Sequence, residues 1–388
     1  MKKISHLFFS AVGLLLLTAC GSSAPFTIDY FGFQQKRDGK WGLINLKGDV
    51  LFADEFKERP SVSVNDRFSV RNKKDFYEYY ETDSEPEQIG EGVGYKKAGM
   101  FTGKYAPVQK KDGRVIYIDK KGGVAIDMEK KFPGKKINEV EGFLGDWAAV
   151  RMDGKWGAMN TDGKLIVQCK YDYIAGIPML YPDRRIFIDE EAKKWYVIDK
   201  KGKTLFSKST ESLTPYGIYE DGLIVVRSNE ENYEDMEYTI LDEKGNTKLK
   251  LKNKHLEGPI FDGKFVFKED DAYGLMDVSG KVLIKAKYDR MDYNGAIIVA
   301  RNDDKEWLIV DDSGKKVAEL DGEPELLEPV FDGYDSFMIV EGDKECTIVD
   351  DEGKEVDLGD IELYRVRPDG NTSIYIYEND EYDYEQKE

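Results

Sequence analysis

From residue 26 onward the chain runs in short apolar bursts separated by polar turns. No segment there carries apolar positions at helical spacing over a useful length, so helices are not expected. The bursts come in threes. One lies ahead of a turn frame, as in "RFSVR", "YAPVQ", "WAAVR", "LIVVR" and "AIIVA". The second holds the frame itself: an aromatic, any residue, two apolar residues, Asp or Asn, two residues, Gly. The third follows the glycine, as in "KLIVQ", "KTLF" and "KVLI". The bursts are rich in β-branched residues and often apolar on successive positions, which predicts strands covered on both faces, sheet against sheet.

The frame recurs about every 38 residues, the period of a repeat architecture. Its copies are Trp41…Asn45…Gly48, Val115…Asp119…Gly122, Trp156…Asn160…Gly163, Trp195…Asp199…Gly202, Tyr238…Asp242…Gly245, Tyr273…Asp277…Gly280, Trp307…Asp311…Gly314 and Cys346…Asp350…Gly353. A degenerate copy, Tyr77…Glu81…Ser84, fills the one gap. An Asx side chain bonds to backbone N–H two residues on, and glycine accepts positive φ without steric cost, so each frame predicts a β-hairpin with a bulged turn. A chain of 388 residues would ordinarily split into several cores. Repeats that pack only on their neighbours avoid this. The expected fold is all-β: tandem β-hairpin repeats, β-propeller-like, with an open β superhelical stack as the alternative. Nine copies span 26–388, and "TSIYIY" near the C-terminus starts a partial tenth that "FTIDYF", at 26–31, would complete if the array closes.

The hairpin resembles the hallmark of the WG-repeat family of bacterial proteins. The likeness is close at Gly39-Lys40-Trp41-Gly42, Gly154-Lys155-Trp156-Gly157 and Ala272-Tyr273-Gly274. Elsewhere the residue after the aromatic is Glu78, Tyr196, Thr239 or Leu308. The close copies lie about three periods apart, and two of them lead on to Lys170-Tyr171-Asp172 and Lys287-Tyr288-Asp289. Copies one, four and seven are therefore expected to be more alike than the rest. The resemblance implies a common structure and no common activity.

The first residues read differently. Lys2 and Lys3 precede an apolar run, Leu7 to Leu17, too short to span a bilayer. The run ends on Leu17-Thr18-Ala19-Cys20, which resembles the bacterial lipobox. That resemblance implies a signal peptide at 1–19, acylation of Cys20, and a short lipidated tether at 20–25. The expected partner there is a membrane and the expected place the cell envelope: the outer membrane in a Gram-negative cell, the outer face of the cell membrane in a Gram-positive one.

Charge and chemistry narrow the function. The net charge is −19, or about −21 without Lys2 and Lys3, and no basic stripe offsets it, so nucleic acid is excluded as a partner. Cys169 and Cys346 each read as a small buried hydrophobe in a strand. His255 stands alone in "KNKHLEG", a setting that reads as a polar loop and offers no nucleophile–His arrangement. The repeated Trp41, Trp156 and Tyr273, with Gly42, Gly157 and Gly274, read as structural. Tyr171 and Tyr288, outside the frame, are the candidates for an exposed aromatic that contacts a ligand. No acidic run has the D-x-D-x-D-G spacing of a calcium loop, and no cofactor is expected. Asp350, Asp351 and the tail 378–388 are the places to look for weak cation binding. The expected protein is a non-catalytic envelope lipoprotein, a repeat scaffold for protein or carbohydrate contacts. The alternatives are a propeller-type glycan hydrolase using paired carboxylates and a calcium-dependent adhesion module.

Overall fold

A computed structural model describes residues 26–82, 88–90, 94–175, 181–211, 213–228, 235–368 and the backbone of 373–375. Cys20, Ser84 and the tail 378–388 lie outside these residues. The strands form antiparallel meanders that follow one another along the chain. Five sheets have four consecutive strands, one adds a fifth, and the last has three. The remaining eight-stranded sheet consists of the first two meanders joined through Ile28–Gln34, which makes nine meanders among the described residues. Among the described residues the one α-helix is four residues long, Met128–Lys131. No sheet closes on itself as a barrel.

Each frame aromatic opens the third strand of its meander: Trp41–Ile44, Tyr77–Glu81, Val115–Ile118, Lys155–Asn160 and so on to Cys346–Asp350. The bursts ahead of the frame are the second strands, such as Arg67–Arg71 and Trp147–Met152. The turn is the expected one. Asp242 Oδ1 accepts from the N–H groups of Lys244 (2.9 Å) and Asn246 (2.8 Å), and Gly245 N–H closes the turn on the Asp242 carbonyl at 2.9 Å. Asn45, Asp119, Asn160, Asp199, Asp277, Asp311 and Asp350 each accept from the same two positions of their own turns. The glycine has positive φ in all eight, from 72° at Gly163 to 92° at Gly280.

The core lies between sheets. One cluster joins meanders two and three through Tyr79, Phe101 and Val108. Others join three to four through Tyr117 and Phe143, and four to five through Trp147, Tyr171 and Phe187. The series continues through Trp195 and Val226, through Tyr238, Phe265 and Met291, and through Trp307 and Val340. It returns to its start, since Phe31, Phe33 and Ile44 of the first meander share a cluster with Ile339, Ile348 and Leu363 of the ninth. Leaflets packed face to face in a closed circuit are the propeller arrangement, not the open stack.

Three contacts seal the circuit. Ile28 N–H donates to the Val330 carbonyl at 2.7 Å, and Asp332 N–H donates to the Ile28 carbonyl at 3.0 Å. Lys47 pairs with Asp332 at 2.6 Å. The chain then comes back: Arg365–Arg367 pairs antiparallel with Ile28–Gln34, giving the first meander the strand it otherwise lacks. Closure by the C-terminal end was expected, but from a different segment. Residues Arg365–Arg367 perform it, and Ser373–Tyr375 in "TSIYIY" pairs instead with Ile137–Glu141 of the fourth meander. "FTIDYF" contributes to a second strand of the first meander and not to a tenth copy.

First strands face the centre of the circuit and fourth strands the outside. Met100 and Leu144, in loops just after first strands, join Leu327 and Phe331 of the ninth meander in one cluster. Fourth strands carry the exposed apolar residues Val124, Val282 and Val317.

Candidate functional site

The motif aromatics are packing elements. Trp195 is fully buried, Trp156 is buried, and Trp41 and Tyr273 are half-buried. Tyr171 and Tyr288 correct an expectation: they are only 4% and 6% exposed, and so are no platform for a ligand. The reason is register. Tyr171 lies directly across from Trp156, and Tyr288 from Tyr273, at the far end of the hairpin. Tyr171 also packs on Phe187 and Tyr196 of the next meander, with ring centroids 5.0 and 5.5 Å away. Tyr288 donates its hydroxyl to the Gly314 carbonyl of the next meander at 3.0 Å. Asp172 accepts from Lys155 Nζ and from Glu190 N–H, so the Lys-Tyr-Asp run ties one hairpin to its neighbour. In the first meander Phe56 takes the equivalent place opposite Trp41, a residue that the motif alone does not flag.

One concavity lies along first strands of the circuit. A cavity of about 760 Å³ runs along His255–Phe261, Arg290–Tyr293 and Glu323–Glu325, the first strands of meanders seven, eight and nine. Its lining has six carboxylates, among them Glu257, Asp292, Glu323 and Glu328, against the single guanidinium of Arg290. Tyr273 adds aromatic surface, while Phe261 and Tyr293 are buried in the wall. The strand His255–Phe261 shifts register between Glu257 and Phe261, and Gly258 sits in that bulge at φ 71° with open space beside it. This is where the wall is re-aimed. Arg290 donates to Glu323 at 2.8 Å and lies 3.6 Å from Asp292. Burial holds the Asp292 carboxyl above the usual carboxylate range, helped by Glu323 and Glu257 and opposed by Arg290. Burial alone does the same for Glu328.

A second strained carboxyl sits at the seal of the circuit. Burial pushes Asp29 up to about 6, with the charges of Asp66 and Asp332 adding to the rise and the Asp66 N–H and Lys47 opposing it. Elsewhere the candidates are occupied by structure. Asp350 Oδ1 accepts from Glu352 N–H (3.0 Å) and Lys354 N–H (2.8 Å). Asp351 donates its own N–H to the Ser336 carbonyl. Among the described residues no three His, Cys, Asp or Glu side chains gather as a metal site. Cys346 is buried in a strand, and burial pushes the Cys169 thiol up to about 11, which makes it a poor nucleophile. His255 corrects another expectation: it opens the strand His255–Phe261 and packs on Tyr238 instead of lying in a loop.

Sequence reasoning missed the cavity residues for a physical reason. First strands such as Arg290–Tyr293 and Glu323–Glu325 are short, carry mixed charge and follow no frame. Nothing in the chain around Asp292 or Glu328 marks them before the circuit brings them to one wall.

Comparison with known proteins bears on the hairpins. The WG containing repeat profile matches residues 135–156, 156–177 and 273–305, in meanders four, seven and eight. No curated protein matches the sequence. Among solved structures, a eukaryotic initiation factor is similar at 11% identity over 79% of this chain and 98% of that chain, with a TM-score of 0.41. BamB from Moraxella catarrhalis is similar at 11% identity over 71% of this chain and 95% of that one, with a TM-score of 0.37. The matched stretches hold Gly154-Lys155-Trp156-Gly157 with its Tyr171 partner and Tyr273-Gly274 with its Tyr288 partner. At those hairpins the chain is similar to the WG containing repeat.

Proposed function

We propose that the protein is a non-catalytic scaffold of the bacterial cell envelope, tethered through an acylated Cys20, whose acid-walled cavity takes a protein or carbohydrate partner. The observation that supports this most is the cavity itself, sized for a small oligosaccharide or a peptide side-chain group. Its carboxylates can accept hydrogen bonds from sugar hydroxyls or from basic side chains, and the half-buried Tyr273 offers a ring to stack on. Screening the soluble chain from residue 21 against glycans, cell-wall fragments and basic peptides tests the reading. A ligand is expected whose affinity falls at least about tenfold in Glu323→Gln. A ligand that binds with the same affinity when Glu323 and Asp292 are both neutralised rejects the cavity as its site. For the tether, the mass of the native protein is expected to show a lipid-modified Cys20, and an unmodified N-terminus rejects it.

One observation favours a second reading, a glycan hydrolase: Asp292 and Glu328, whose carboxyl pKa values burial raises above the usual range, line the same cavity. On that reading a bound glycan is cleaved, and Glu328→Gln or Asp292→Asn stops cleavage while leaving binding. A bound glycan that stays intact over days removes it.

A further inference from the structure

Charge in this molecule is sorted by radius. First strands, at the centre, carry the carboxylates of Glu139, Glu141, Glu257, Asp292 and Glu323. The fourth strands of meanders four to seven, on the outside, are Leu165–Tyr171, Thr204–Ser209, Thr247–Leu251 and Val282–Tyr288. Together they carry Lys170, Lys208, Lys248, Lys250, Lys285 and Lys287 and not one Asp or Glu, in a chain with 76 acids against 57 Lys and Arg. Lys208 is half-buried and the other five are exposed.

Edge protection, a common use of lysine on outer strands, does not account for them. The corresponding strands of the first three meanders, Val50–Phe56, Gln88–Ile89 and Val124–Asp127, contain no lysine and carry Asp54, Glu55 and Asp127 instead. Ion pairing does not account for them either. Nearby, Lys155 pairs with Asp172, Lys193 with Glu211 and Lys254 with Glu269. The six outer lysines pair with no carboxylate of the described residues. Lys248 and Lys250 share one face of their strand, because Leu249 and Leu251 turn to the core shared with meander seven. Residues two apart on a strand lie about 7 Å from each other, within the screening length of about 10 Å at 0.1 M salt, so such pairs act on a ligand together.

We infer that this arc of outer strands binds a linear acidic polysaccharide. The chemistry of the surface selects that partner. Val282 is the one exposed large apolar residue on the four strands, so the apolar anchors of a protein interface are missing. No exposed aromatic ring lies on them, since Tyr173 and Tyr216 are on first strands, so single-stranded nucleic acid lacks a platform for its bases. The arc spans four consecutive meanders of the nine among the described residues and is convex, so a flat bilayer meets one part of it whereas a flexible chain follows it. A polymer that offers charge at intervals, with no bases and no apolar side chains, matches what the arc presents. The site is separate from the acidic cavity, whose carboxylates repel such a polymer.

Fluorescently labelled polygalacturonate is the probe, with the full protein at low ionic strength. The wild type is expected to bind it, and the combined variant Lys248→Glu, Lys250→Glu, Lys285→Glu at least about tenfold more weakly. An equal charge change at exposed positions of meanders two and three, Lys73→Glu, Lys74→Glu, Lys121→Glu, is expected to leave affinity within about twofold of the wild type. Should charge reversal disturb folding, Lys248→Gln, Lys250→Gln, Lys285→Gln is expected to weaken binding at least about threefold at an unchanged melting temperature. Absence of binding by the wild type, or equal losses in the two reversed variants, overturns the inference. So does binding of oligo-dT or of phosphatidylglycerol vesicles as tight as that of polygalacturonate. None of these substitutions touches the cavity, so failure here leaves the cavity reading standing.

Discussion

At the scale of single residues, the glycine after the motif aromatic has a cause that is local to three hairpins. Opposite Gly42, Gly157 and Gly274 the fourth strand bulges: Trp156 faces Tyr171 but Ala158 faces Val167, and the pairs Trp41–Phe56 and Tyr273–Tyr288 are followed by the same jump. The bulge drives a carbonyl onto the glycine. A Cβ on Gly157 would lie 2.5 Å from the Val167 oxygen, and one on Gly274 2.5 Å from the Ile284 oxygen. Where Tyr196, Thr239 or Leu308 replaces glycine, the fourth strand pairs without that jump. Copies one, four and seven are therefore alike in a feature that those three copies lack. Gly157→Ala is expected to cost about 2–3 kcal/mol in urea unfolding, whereas Thr239→Ala costs less than about 1 kcal/mol. Equal costs would remove the bulge as the reason. Asp29 makes a prediction of the opposite sign. Its folded-state pKa of about 6 lies above its ordinary value of 3.8, so the fold prefers the neutral acid. That preference is fully present below pH 4 and is lost as pH rises through 6. Asp29→Asn is expected to raise the melting temperature at pH 7.5, by an amount worth about 1 kcal/mol after solvent screening, and to make no difference at pH 4. Melting curves of both proteins across that range check it.

At the scale of elements, the unit is a hairpin whose turn serves two masters. The Asx side chain closes the turn on itself, and the glycine that follows lets the next sheet come near. A Cβ on Gly202 would lie 2.1 Å from the Ile166 oxygen, and one on Gly353 2.5 Å from Ala318, in each case on the fourth strand of the preceding meander. Asp242→Ala removes the one side-chain acceptor shared by two exposed backbone N–H groups, so a loss of about 1 kcal/mol is expected, with exchange quickened at Lys244 and Asn246. No loss at all would mean that the glycine alone sets the turn. This double use explains what could be read in the sequence. Strands two, three and four of each meander answer to packing on both faces and to a fixed turn, so both leave marks in the residue pattern. First strands answer to neither. They line a centre whose polarity varies from meander to meander, and Glu257, Asp292 and Glu323 are there because the circuit has a hole, not because a hairpin needs them. Tyr171 and Tyr288 failed as candidates because the motif extends further than its spelling, across the hairpin to the partner of the aromatic.

At the scale of the molecule, the question is what holds nine nearest-neighbour leaflets in a circuit when the chain itself is linear. Between most meanders the chain runs on from fourth strand to next first strand, but the ninth and the first are joined by side-chain and backbone contacts and by a returning segment. Their interface has the Phe31–Ile339 cluster, the backbone bonds at Ile28, and the Lys47–Asp332 pair, which is exposed and so contributes little. Its covalent reinforcement is Arg365–Arg367: having left the ninth meander at Leu363, where Cys346 N–H donates to the Leu363 carbonyl at 2.6 Å, the chain crosses over and lays Val366, 3% exposed, against the first. A chain ending at Tyr364 loses that strand together with Ser373–Tyr375. Burial of one valine and the backbone pairs together predict a loss of about 3 kcal/mol. The loss should appear first as quickened exchange in Ile28–Gln34 and in Phe337–Glu341, on the two sides of the opened seam, before any change in meanders five to seven. A chain ending at Pro368 keeps Arg365–Arg367 and is expected to stay within about 1 kcal/mol of the full protein. Denaturation midpoints and exchange maps of the two truncations decide the matter. If the shorter chain is as stable as the longer, the circuit is held by side-chain packing between leaflets alone, and the returning strand is ornament to a ring that would close without it.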